Sequence, residues 1–193
     1  MTTRILFLHS AGPQNEGQGS SVLLSFMEKE LGSFYKIYSP KIPDPENPTY
    51  KVWKTGLEKQ LDLIDDAVIL VGHSLGASVL LKYFSEVPYQ KPIAGLFLVA
   101  APYWGADGWE LKDFTLKPNF PSHLSSIPHI GIYHSKDDEW VPVAHATHYQ
   151  TKIPTATVRI FSQRGHNFDA GLPELVLDIK SISGKTNEIL NQH

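Results

Sequence analysis

The stretch Ala67-Val68-Ile69-Leu70-Val71-Gly72-His73-Ser74-Leu75-Gly76-Ala77-Ser78-Val79-Leu80-Leu81 decides the fold. It opens as a continuous apolar run of strand length, rich in β-branched residues. It passes through Gly-x-Ser-x-Gly, after which Leu75, Val79, Leu80, Tyr83 and Phe84 recur at helical spacing. Strand, tight turn and helix form the context of a nucleophile elbow. In so sharp a turn, side chains two before and two after the serine would collide, and Gly72 and Gly76 remove them. The pattern predicts a strained backbone at Ser74, with its hydroxyl lifted clear of the sheet. The first amides of the following helix point at the same spot and favour anionic charge there.

On either side of this stretch, strands alternate with helices. A strand is expected over Arg4–His9, then a glycine-rich loop to Gly19, a helix over Ser20–Leu31 and a strand over Tyr35–Tyr38. The connection Pro40-Lys41-Ile42-Pro43-Asp44-Pro45-Glu46-Asn47-Pro48 can continue neither element and reads as an ordered loop, with Asp44 capping a turn. A helix follows over Tyr50–Ile64, with Trp53, Leu57, Leu61 and Ile64 on one stripe. Past the elbow, strands are expected at Ile93–Ala100, His129–His134 and Thr155–Phe161, and a helix from Pro142. A last helix over Leu172–Ile182 is expected to stop near Gly184, before a short terminal helix. Strands separated by helical crossovers imply an α/β fold: a six-stranded, mainly parallel sheet with helices on both faces, a three-layer sandwich. The whole chain, 1–193, reads as one domain. The segment 101–127 breaks the rhythm with Tyr103, Trp104, Trp109, Phe114 and Phe120, and is expected to act as a lid over an acyl pocket, the alternative being a packed excursion covering the sheet's edge.

Ligands of such sheets sit beyond the carboxyl ends of the strands. If Ser74 is a nucleophile, its partners should follow later strands, and they do. One strand runs into Ser135-Lys136-Asp137-Asp138, the next into Arg164-Gly165-His166. The chain order Ser, Asp, His is that of α/β-hydrolases. A serine hydroxyl needs a base to take its proton, and a carboxylate to fix the tautomer of that base. Ser74, His166 and Asp138 are assigned to these roles, with adjacent Asp137 the other candidate for the carboxylate, since neighbouring residues cannot both point at one imidazole. The oxyanion needs two backbone donors. One is the amide of Leu75; the other comes from the His9-Ser10-Ala11-Gly12 loop, with Ala11 first and Ser10 the alternative. His9 is expected to brace that loop, and His73 to pack inside the elbow.

Net charge is −3, with 17 basic and 20 acidic residues and no basic block, which argues against nucleic acid or an anionic membrane as partners. The chain has no cysteine, so disulfides and thiolate metal sites are excluded and a reducing cytoplasm is suited. The N-terminal apolar segment is too short for a signal peptide, and no stretch reaches membrane-spanning length. These features predict a soluble cytoplasmic protein. His145 and His148 could share a helix face, but the spacing is not His-Glu-x-x-His and further ligands are lacking, so no metal or cofactor is expected.

Four places carry a family resemblance: the loop near His9; Ile42-Pro43-Asp44-Pro45 followed by Trp53; Gly72-His73-Ser74-Leu75-Gly76; and Asp137-Asp138 with Val141-Pro142, followed by Gly165-His166. The chain resembles a minimal α/β-hydrolase lacking the two leading strands of larger members. Within that fold it is similar to the retinoblastoma-binding-protein-nine and YdeN-like serine hydrolases. The resemblance implies strand order 2-1-3-4-5-6, small esters as the usual assay substrates, and Asp138, four before Pro142, as the triad carboxylate. Ser10 departs from the glycine that many hydrolases carry after the histidine, so the second oxyanion donor stays open. The expected function is a serine hydrolase cleaving small esters or amides through an acyl-enzyme. The alternative is a non-catalytic protein-binding module on the same scaffold.

Overall fold

The computed structural model describes the backbone of residues 2–190 and the side chains of residues 2–183. The elements run β1 (Thr3–Leu8), α1 (Ser21–Leu31), β2 (Tyr35–Tyr38), α2 (Tyr50–Asp62), β3 (Val68–His73) and α3 (Leu75–Glu86). They continue as β4 (Ile93–Val99), α4 (Phe120–His123), β5 (Ile130–Ser135), α5 (Ala144–Lys152), β6 (Thr157–Phe161) and α6 (Pro173–Leu190). The six strands form one sheet in the order β2-β1-β3-β4-β5-β6. Every pairing is parallel. Parallel neighbours require crossovers, and the helices that make them cover both faces. This is the α/β-hydrolase sandwich, and its order reverses between β1 and β3.

The period-2 rule divides the core. On β1, Ile5 and Phe7 join Ile69, Val71, Phe97, Val99 and Tyr133 against α1 and α6, through Leu23, Met27, Leu175 and Ile179. Leu6 and Leu8 join Leu70, Leu96, Leu98 and Ile132 on the other face, against Trp53 and Leu57 of α2, much of α3, and Tyr149 of α5. Strands β1 and β3, inside the sheet, are buried on both faces, which explains why they read as unbroken apolar runs.

Element ends differ from the sequence expectation for local reasons. α1 starts at Ser21 with Ser20 as its N-cap residue: the Ser20 carbonyl accepts from Leu24 N, while its hydroxyl, instead of capping the helix, is spent on Ser10 and His73. α2 ends at Asp62, with Leu63 and Ile64 in a tightened last turn. β4 ends at Val99 because Ala100 adopts φ 48°. β6 starts only at Thr157, since Ala156 N closes a turn on Ile153 O. The helix expected from Pro142 begins at Ala144, after turns closed by His145 N on Pro142 O and Ala146 N on Val143 O. The largest correction lies at the end of the chain. α6 does not stop near Gly184 but continues to Leu190, replacing the separate terminal helix. An interior glycine costs only about 1 kcal/mol relative to alanine, too little to end a helix by itself. Among the described residues, no helix is long and apolar enough to cross a membrane.

Candidate active site

β3 ends at His73 and α3 begins at Leu75, so one residue makes the whole turn. Ser74 takes φ 51° and ψ −116°, outside the regions open to ordinary L-residues. Its amide is tied to Val99 O at 2.8 Å, and its carbonyl accepts from Ala77 N at 3.0 Å. The two glycines act on different neighbours. A Cβ at Gly72 would sit 2.5 Å from Ala77 Cα, and one at Gly76 would overlap the carbonyls of Leu8 and His9. Gly72 therefore lets the helix fold back on its own strand, while Gly76 lets α3 lie against the end of β1. Ser74 is partly exposed between buried His73 and Leu75.

The loops after β5 and β6 meet beside this turn. His166 Nδ1 donates to Asp138 Oδ2 at 2.8 Å, with Oδ1 at 3.0 Å. The Asp138 side chain is fully buried. Its Oδ1 also accepts from Trp140 N at 2.9 Å and Val141 N at 2.8 Å. Burial alone would raise the pKa of this carboxyl, but hydrogen bonds from His134 and His166 outweigh it and hold the group well below the usual carboxylate range. Asp137 turns the other way. Its Oδ1 accepts from Ser135 Oγ at 2.5 Å, Gly165 N at 3.0 Å and Arg164 N at 3.1 Å, so it pins the loop that carries His166. Hydrogen bonds from Ser135 and Gly165 lower its pKa as well.

His73 joins the three loops. Its Nε2 donates to His166 O at 2.9 Å, and a carbonyl can only accept, so Nδ1 is the bare nitrogen. Ser20 Oγ lies 2.7 Å from that Nδ1 and donates to it. The same Oγ accepts from Ser10 N at 2.7 Å and stands 3.0 Å from Ser10 Oγ. Burial, reinforced by neighbouring His166, pushes the His73 pKa down to about 3, so the ring stays neutral. The loop after β1 is braced from outside too. His9 Nε2 pairs with Ser39 Oγ at 2.7 Å, and Gly12 N donates to Pro45 O at 2.8 Å. Burial and nearby Lys41 bring the His9 pKa to about 4. Gln14 Oε1 accepts from Ile42 N at 3.0 Å, which fastens the proline-rich loop to the same wall.

The Ser10 and Gly12 amides are thus both occupied. Ala11, between them, is exposed and its amide has no acceptor among the described residues. Leu75, which supplies the first amide of α3, is buried directly behind Ser74. The sequence did not single out Ser20, Ser39, Ser135 or His134. A lone serine or histidine carries no periodicity; the partners His73 of Ser20 and His9 of Ser39 lie 53 and 30 residues away, and the local partners of His134 and Ser135 meet them only once the turn after β5 has formed.

In the segment 101–127, Phe114 and Phe120 are core residues, each 1% exposed. Trp104 and Trp109 are partly exposed and packed at a ring distance of 5.1 Å. Trp104 Nε1 donates to Ser78 Oγ at 2.9 Å, one helical turn beyond Ser74. His145 is buried, with Nδ1 accepting from Tyr103 N at 2.8 Å, while His148 is bound to Asp107 at 2.7 Å. Among the described residues, no group of three or more His, Asp or Glu side chains is arranged to hold a metal ion.

Known proteins share this arrangement of chain. YdeN of Bacillus subtilis (strain 168) is 25% identical over 138 residues, 69% of this chain and 72% of YdeN. The serine hydrolase RBBP9 of Rattus norvegicus is 23% identical over 151 residues, 77% of this chain and 78% of RBBP9. The crystal structure of the ydeN gene product from B. subtilis superposes with a TM-score of 0.76 at 18% identity, covering 95% of this chain and 100% of that one. That likeness speaks for the fold. The sequence profile of the family described as Serine hydrolase matches residues 24–179, most of the length that builds the sheet and the elbow. On that match, the chain belongs to the serine hydrolase family, as a relative of YdeN and RBBP9 with the α/β-hydrolase fold.

Proposed function

We propose that the chain hydrolyses small carboxylic esters through an acyl-enzyme on Ser74, with His166 as general base and Asp138 as its orienting carboxylate. The observation that carries this reading is the buried His166–Asp138 pair at 2.8 Å, whose loop is fastened to the elbow through His73. With Nδ1–H given to Asp138, Nε2 of neutral His166 is bare and can take a proton. The Ser74 oxygen attacks the ester carbonyl as its proton passes to that Nε2. The imidazolium returns the proton to the departing alcohol. Water then attacks the acyl-enzyme by the same exchange and releases the acid. The oxyanion is taken by the amides of Leu75 and Ala11. Ala11 is preferred to Ser10 because the Ser10 amide is engaged by Ser20. Amides with good leaving groups fall within the same chemistry. A lid role is kept for the Trp104–Trp109 pair, and the cysteine-free chain suits a cytoplasmic setting.

A fluorophosphonate probe should label the wild type on Ser74 and leave Ser74→Ala unlabelled. Ser74→Ala should stay folded and lose p-nitrophenyl ester turnover by several orders of magnitude. An unlabelled, inactive but folded wild type would instead favour the protein-binding reading.

A further inference from the structure

Asp138 is flanked by two imidazoles, and the reaction uses only one. His134, at the carboxyl end of β5, is fully buried, as is the Asp138 side chain. Its Nε2 lies 2.7 Å from Val141 O and 3.3 Å from Asp138 Oδ2. Both neighbours are acceptors, so Nε2 carries a proton in either charge state of the ring. Nδ1 has no partner among the described residues, so the ring is oriented only through Nε2. That N–H is directed at the carbonyl of Val141, whose own amide donates back to Asp138 Oδ1 at 2.8 Å, and the same nitrogen lies beside the Asp138 carboxylate as a longer, secondary contact. Oδ2 therefore faces two imidazoles, His166 Nδ1 at 2.8 Å and His134 Nε2 at 3.3 Å, and the turn that carries the carboxylate is held by His134 through Val141.

We infer that His134 is a positioning residue for the triad: its Nε2–H fixes the rotation of the Asp138 carboxylate and drains charge from Oδ2, setting the basicity of His166. The inference rests on the proposed roles of Asp138 and His166. Electrostatically, His134 faces Asp138 on its own turn and His145 of α5, while Asp138 faces His166 and His73. Removing the donor leaves more charge on Oδ2, which holds the His166 proton more tightly. It also frees the carboxylate to rotate.

The test uses the full chain with p-nitrophenyl butyrate, normalised by fluorophosphonate labelling, which counts competent Ser74 independently of His134. In His134→Leu, kcat should fall about tenfold with KM unchanged, the loss expected for one hydrogen bond to a charged group. The acid limb of its kcat/KM profile should move up by about half a pH unit. His134→Gln, which reaches with an amide N–H, should restore both, and His134→Asn, too short to reach, should not. In an Asp138→Asn background, His134→Leu should change kcat by less than about twofold. An unmoved limb in His134→Leu, or equal behaviour of the Gln and Asn variants, overturns the inference. If His134→Leu does not fold, the Gln–Asn comparison decides. A wild type that the probe does not label refutes the serine mechanism itself, a different failure.

Discussion

Asp137 and Asp138 are neighbours in sequence with separate duties: Asp138 accepts from His166 and from two backbone amides, Asp137 from Ser135 Oγ and the amides of Arg164 and Gly165. On the proposed mechanism, Asp138→Asn keeps the shape but removes the charge that would stabilise the imidazolium, and admits the wrong tautomer. A loss near ~10⁴ in turnover is expected at unchanged foldedness. Asp137→Asn keeps an oxygen acceptor for the loop amides, so its loss should stay within about tenfold and arise through a looser His166 loop. The reverse ranking in steady-state assays would move the triad carboxylate to Asp137. The proposed roles of Ser74 and His166 could be read from sequence because each lies at a strand end and the elbow demands its two glycines. The choice between the adjacent aspartates needed the family resemblance, since alternation alone says only that they point apart. Ser20 was not legible at all. Its partner His73 is 53 residues away, and nothing local marks a serine whose hydroxyl does not cap its helix. Ser20→Ala would strand His73 Nδ1 and the Ser10 amide in a buried site, costing about 1–3 kcal/mol of stability. Urea melts would detect it, and an unchanged midpoint would refute the network.

At the scale of elements, the alternation of strands and helices was readable because the inner strands are buried on both faces and the helices on one. Strand order was not in the periodicity, which carries no information on which strand pairs with which; it came from resemblance and agrees with the sheet. The aromatic segment 101–127 is not uniform: Phe114 and Phe120 are buried, while Trp104 and Trp109 are partly exposed. Composition cannot separate an aromatic that covers a site from one that fills the core, and here the segment contains both. Phe114 is packed among α2 and α3 residues and stacks edge-on with Tyr50 at 6.3 Å. Phe114→Ala should therefore cost about 3–5 kcal/mol, by the cavity it leaves. Trp109, partly exposed, should cost much less when truncated. If the Trp104–Trp109 pair covers the acyl chain, Trp109→Ala should alter the ranking of p-nitrophenyl esters by chain length. Thermal melts beside an ester panel separate the two roles: a stable Phe114→Ala, or an unchanged ranking in Trp109→Ala, would contradict one or the other.

For the molecule as a whole, the buried histidines set how the fold responds to acid. His9 and His73 both lie at the centre, one bracing the loop after β1 and the other joining that loop to His166. Burial is the main reason their pKa values fall from 6.5 to about 4 and about 3. Between those values and 6.5 the unfolded chain binds protons that the folded chain refuses, so stability rises with pH through this window and falls on acidification. Each group adds a slope of up to about 1.4 kcal/mol per pH unit. Asp138 behaves differently. Its pKa is lowered from 3.8, so its contribution is fully present above that value and is lost only at more acid pH, leaving no slope between pH 5 and 6.5. Stability measured by urea at a series of pH values should therefore be nearly flat above pH 7 and drop steadily from about 6.5 to 5, with net proton uptake on unfolding. His73→Asn should be less stable at pH 7, because it weakens the tie between Ser20 and His166 O, yet show a shallower fall with acid. A fall as steep as that of the wild type would mean that His73 takes up its proton in the folded state, and the neutral bridge between the loop after β1 and the His166 loop would have to be abandoned.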